Sequence, residues 1–136
     1  MKYLKISMMI LICSYFFVEV LAFADDTVPI SGSVNVSMFE SDDTSTRTKI
    51  NNESQRFRIS SANCEDCQFN ATPVNLINGQ QGGTYQAVEN IEVGQTVTLD
   101  TQACHTGTWY VKVIRFDFGA IKRTVAYTYD PNAMFW

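Results

Sequence analysis

The chain has 136 residues, 46% of them apolar, with 14 acidic against 10 basic side chains and a net charge of −4. An acidic chain without a dense basic stripe argues against nucleic-acid binding, which depends on phosphate neutralisation and counterion release. The length suits one domain with a modest core once an N-terminal export segment is set aside.

That segment is residues 1–24. Lys2 and Lys5 precede an apolar run over residues 6–12, which continues through Tyr15, Phe16 and Phe17 and ends in Ala22-Phe23-Ala24. The pattern predicts a cleavable signal peptide. A retained anchor fits less well, because Ser14 and Glu19 break the run well short of the ~20 apolar residues a membrane span needs. The mature protein, residues 25–136, is therefore expected to be secreted, periplasmic or on the cell surface, with no membrane span and a net charge of −5. Within it, residues 104–136 carry Lys112, Arg115, Lys122 and Arg123 against Asp117 and Asp130, so the last quarter is locally basic.

Residues 27–40, TVPISGSVNVSMFE, place Val28, Ile30, Gly32, Val34, Val36 and Met38 on one face and Ser31, Ser33, Asn35 and Ser37 on the other. Period-two alternation predicts a strand. Pro29 lacks an amide donor and Gly32 lacks a side chain, which suits an edge or a groove where another backbone comes close. Residues 41–54 are polar without apolar periodicity and read as a surface loop. Shorter strands follow over residues 55–61 and 68–77, the second around Pro73. Asn78-Gly79 and Gly82-Gly83 mark a flexible connection, after which residues 84–93 and 95–100 read as a pair about Gly94.

Residues 108–129, TWYVKVIRFDFGAIKRTVAYTY, predict a hairpin turning at Gly119-Ala120. In that register Tyr110, Lys112, Ile114 and Phe116 oppose Tyr129, Tyr127, Val125 and Arg123. The other face holds Trp109, Val111 and Val113, with Arg115 at its edge and Lys122 at the basic tip. An aromatic residue beside Arg on a rigid strand suits recognition of a sugar, peptide or protein, so these five are the predicted contact surface. The alternative is that this face packs on a second sheet and the Tyr face looks outward. Residues 130–136 are expected to fold back onto the sheet, with a docking peptide as the other reading. About seven strands at this spacing predict a single all-β domain, an immunoglobulin-like antiparallel sandwich.

The mature cysteines are Cys64, Cys67 and Cys104, and the compartment is oxidising. Three readings are open. Cys104 bonds Cys64 or Cys67 across a long loop; Cys64 bonds Cys67 and leaves Cys104 free or pairing between chains; or the three thiolates with His105 form a Cys3His metal set. A thioredoxin-like role would need CxxC at a helix N-terminus, and Glu65 and Asp66 would raise a thiol pKa. Gln68 follows Cys67 where haem attachment needs His, and no other cofactor motif is present. His105 is the only histidine, and strand alternation points it away from Cys104, so no catalytic dyad or triad is predicted.

The opening of the mature chain, ADDTVPISGSVNV, resembles the donor strand of chaperone-usher pilus subunits, with Val28, Ile30, Gly32, Val34 and Val36 at its alternating positions. The run TVAYTYD, with Tyr127 and Tyr129, looks like a pilin's closing strand. The resemblance implies an incomplete sandwich whose groove takes a neighbour's N-terminal strand, residues 25–39 being edge or donor.

The expected function is an exported, non-enzymatic binding or assembly module. Its partner would be another protein or a second copy, with carbohydrate as a further ligand class. A monomeric inhibitor, immunity or ligand-binding protein using Trp109 is the alternative, and a thiol or metal protein the third.

Overall fold

The computed structural model describes residues 25–64, 66–83, 85–115 and 121–134. The predicted signal peptide, the predicted turn at Gly119-Ala120 and the terminal Phe135 and Trp136 lie outside the described residues. Among those described are ten strands: β1 (Ile30–Val36), β2 (Asp42–Asp43), β3 (Arg47–Lys49), β4 (Arg56–Ala62), β5 (Gln68–Ile77), β6 (Gln80–Gln81), β7 (Val88–Glu92), β8 (Thr96–Thr98), β9 (Gly107–Arg115) and β10 (Arg123–Asp130). One antiparallel sheet runs β1-β10-β4-β8. In the other, β9 pairs with β5, β2 and β3 share the outer side of β9, and β6 and β7 share the outer side of β5.

Alternation decides what fills the space between them. Val34, Val36, Phe57, Ile59, Val97, Val125, Tyr127 and Tyr129 from the first sheet meet Phe69, Ala71, Ile91, Val111 and Val113 from the second in one buried cluster. The all-β sandwich expected from the sequence is what the chain forms. Counting β2 with β3 and β6 with β7 as interrupted strands, the chain changes sheet at every step except β5 to β6. That is jelly-roll connectivity within the sandwich class.

The predicted hairpin over residues 108–129 does not form, because β9 and β10 belong to different sheets. The reason is facial. In the hairpin register Trp109, Val111 and Val113 share no face with Val125, Tyr127 and Tyr129, so one set would have been left in water. A crossover between the sheets turns both sets inward, and all six are buried. The pair about Gly94 fails likewise: β7 joins β5 and β8 joins β4. Gly94 is still a turn, with φ +87° and its N–H donating to Ile59 O at 2.8 Å.

Asn78-Gly79, read as flexible, is instead a tight two-residue hairpin pairing Ile77 with Gln80 and Leu76 with Gln81. Positive φ at both residues, 52° and 76°, is the type I′ pattern that Asn-Gly favours.

The polar stretch 41–54 is also not all loop. β2 and β3 line the edge of β9, and at the break between them Thr44 replaces a ladder residue. Its N–H donates to Val111 O and its Oγ1 accepts from Val111 N–H, both at 2.9 Å. Both backbone groups of Val111 thus point away from β5. Pro73, opposite Val111, correspondingly aims its donorless nitrogen away from β9, into the gap between β7 and β6. A proline is tolerated mid-strand because no partner stands there.

Candidate functional site

β1 is an edge strand whose ladder is with β10 of the same chain, from Ile30↔Tyr129 to Val36↔Arg123. Of the donor-like residues, Val34 and Val36 are fully buried, and Ile30 is half-buried and packed on the core. Val28 lies just before the strand. Gly32 sits under Tyr127: a β-carbon there would meet the Tyr127 hydroxyl oxygen at 2.8 Å and its ring at 3.0 Å. That ring is itself held, stacked on Phe57 at 6.0 Å, with its hydroxyl accepting from Ser45 N–H at 3.1 Å. Only a glycine leaves room for the tyrosine to close over the strand.

Which way β1 points its backbone follows from one bond. Asn35 N–H donates to Asp42 Oδ2 at 2.9 Å, off the sheet and away from β10. Residues of the same parity, Ser31 and Ser33, therefore also aim N–H and C=O outward, while Ile30, Gly32, Val34 and Val36 bond to β10. The outward-aimed pairs are those whose side chains come closest: Ser31 Oγ lies 3.2 Å from Thr128 Oγ1, and Thr124 Oγ1 donates to Asn35 Oδ1 at 2.6 Å.

The lead-in to β1 is fixed by residues the sequence reading passed over. Arg47, 7% exposed, donates Nε to Val28 O at 3.2 Å and stands 3.9 Å from Asp26. Asn132 donates Nδ2 to Thr27 O at 2.8 Å and Thr48 O at 3.1 Å, and accepts from Ile50 N–H at 2.8 Å. Lys49 is buried with its ammonium among Asn51 Oδ1, Glu53 O and Pro131 O. Burial holds that ammonium below the ordinary lysine range, opposed by the nearby Cys104, Glu53 and Asp130. A signal was present: Arg47 and Lys49 two apart carry aliphatic stems that can line a strand's inner face. Pro131 and Asn132, just after β10, are buried, Met134 is exposed, and Phe135 and Trp136, at the end of the segment expected to fold back, lie outside the described residues.

Three of the five predicted contact residues are not a surface. Trp109, Val111 and Val113 are each 0% exposed, because their face of β9 packs on the other sheet. Trp109 Nε1 is satisfied by His105 O at 3.0 Å. Arg115 is half-buried and donates to Ile121 O at 3.3 Å. Lys122 is exposed and paired with Glu40 at 2.6 Å, and that hydrogen bond and charge raise its pKa. The two cations do not join the tryptophan in one patch.

Cys64 and Cys67 form a disulfide, with Cα atoms 5.8 Å apart, and Cys104 is a free, half-buried thiol. The long-loop bond to Cys104 is thereby corrected, and the Cys3His set loses two of its thiolates. Among the described residues no group of three or more His, Cys, Asp or Glu side chains gathers to hold a metal ion. His105 is exposed, its ring edge-on to Trp109 at 4.9 Å and its Nε2 3.4 Å from the Tyr85 hydroxyl.

No protein-family model matches the chain, and no curated protein matches it in sequence. Among the described residues no helix is long and apolar enough to cross a membrane.

Proposed function

We propose that the protein is an exported, non-enzymatic assembly module that binds through its first strand, in the manner of a fimbrial or adhesin subunit. The observation that carries this reading is the seat of β1: an edge strand with one laddered neighbour, alternating inward residues and a glycine slot closed by Tyr127. A strand held this way is the unit that strand exchange transfers, since an equivalent β1 from another chain would meet the same ladder and slot. Export rests on the signal-like residues 1–24 and on the Cys64–Cys67 disulfide, a bond that persists in oxidising compartments. The partner is a second copy or another protein offering a comparable strand.

The test uses the full mature chain and a fluorescent peptide of residues 27–38. Strand exchange predicts slow incorporation of one peptide per chain, and little incorporation of a peptide carrying Gly32→Val, whose β-carbon the Tyr127 hydroxyl excludes. No uptake of the native peptide, or equal uptake of both, would remove the reading.

A further inference from the structure

β1 has an outer side, distinct from the side that pairs with β10 and that strand exchange would use. The other three sheet edges are short or broken: β8 has three residues, β2 and β3 are split at Thr44, and β6 and β7 are two separate pieces. β1 runs seven residues with no charged side chain of its own, so between Pro29 and the Asn35–Asp42 bond it lacks the usual protection of an exposed edge. Ser31 and Ser33 are exposed, and their outward N–H and C=O groups meet no partner among the described residues.

What fits this edge is set by its two ends. Pro29 has the outward parity but no N–H, and the outward N–H of Asn35 is already taken by Asp42. The open window is thus two serines, bounded on each side by a position that has no donor to give.

We propose that this edge pairs antiparallel with the same edge of a second copy of the chain, about a two-fold axis at Gly32. In that register Ser31 faces the partner's Ser33, and Ser33 faces the partner's Ser31. Each pair exchanges two hydrogen bonds. Asn35 then falls opposite the partner's Pro29, so the two positions without a free donor face each other. Sliding by two residues either way sets a serine against Pro29 or Asn35 and leaves its carbonyl without a donor. The register also brings the half-exposed Ile30 opposite the partner's Val34 on the core side of the joined sheet, which extends four strands to eight. β1 itself carries no charge to repel its copy, and the occupant is the chain itself because the edge is self-complementary.

Sedimentation of the full mature protein over a concentration series, with amide exchange read at Ser31 and Ser33, tests this. A reversible dimer is expected, with those two amides slowing as concentration rises. Ser33→Ala keeps the N–H and should dimerise like the natural protein. Ser33→Pro removes a donor that points away from β10, and should weaken the dimer about tenfold or more while the domain stays folded. A monomer at every concentration with concentration-independent exchange at both serines overturns the proposal, as does a folded Ser33→Pro variant that dimerises normally. A dimer made by strand exchange is told apart from this one: it forms slowly, leaves the serine amides exchanging freely and is insensitive to Ser33→Pro. If Ser33→Pro does not fold, the amide-exchange result on the natural protein decides alone.

Discussion

Tyr127 closes over Gly32 so tightly that the tyrosine and the absence of a side chain are one feature of the structure. A Gly32→Ala substitution places its β-carbon 2.8 Å from the hydroxyl oxygen of a ring that is 2% exposed and stacked on Phe57. Overpacking of this kind costs about 1–3 kcal/mol. Tyr127→Phe removes the hydroxyl that meets the new carbon and should recover part of that loss, at the expense of the acceptor for Ser45 N–H. Urea unfolding of both single variants and the double variant measures the coupling, and strict additivity would mean the two residues do not constrain each other.

Asn132 gives a sharper chemical test. Its amide satisfies one N–H and two carbonyls while 1% exposed. Asn132→Ala should cost about 2–4 kcal/mol, because buried backbone groups lose their partners. Asn132→Asp should cost more at neutral pH, since a carboxylate would face the Thr27 and Thr48 carbonyls where the amide donated. Denaturant midpoints at pH 7 decide the ranking.

Reduction separates the cysteines. The native chain should show one titratable thiol, Cys104, when residues 25–136 are denatured without reductant. Opening the Cys64–Cys67 loop should lower stability by about 2 kcal/mol, the loop-entropy value for so short a ring. Two or more free thiols, or no stability change on reduction, would contradict the pairing.

Tyr129 sets an alkaline limit. Its hydroxyl donates to Gln55 Oε1 and is fully buried, and burial raises its pKa above the ordinary 10.0. The folded state therefore keeps a proton that the unfolded chain gives up. The stability this contributes is complete below pH 10 and falls as pH rises above it, by up to about 1.4 kcal/mol per pH unit. Tyr129→Phe should be less stable at pH 7, by about 1–2 kcal/mol for the lost hydrogen bond and the stranded Gln55 oxygen, and should show a shallower decline between pH 10 and 11.5. Parallel curves would place the alkaline limit elsewhere.

The sandwich was legible where alternation is local. β5 occupies the very residues 68–77 read from the sequence, β1 falls inside its predicted stretch, and β4 runs one residue past the predicted 55–61. What alternation cannot carry is partner choice. Gly94 marks a turn whether the flanking strands pair or part, and β9 and β10 each show an inward face without saying which sheet they join. At the candidate site, the alternating face of β1 was readable, but the cationic and amide clamps were not. Arg47, Lys49 and Asn132 lie in polar surroundings in sequence and are buried only because residues about 80 positions apart meet, as Ile50 meets Asn132. The contact face around Trp109 was misassigned for the same reason: an apolar strand face looks alike whether it meets a ligand or another sheet.

The pairing of β1 with β10 also orders events in time. Ile30 waits for Tyr129, and Val34 for Val125, so the first strand to leave the ribosome has no ladder until the last has followed it. Such long-range closure makes folding slow and leaves β1 without its ladder partner in every nascent chain that has not yet reached β10. A chain built this way cannot close its first sheet until β10 has been made.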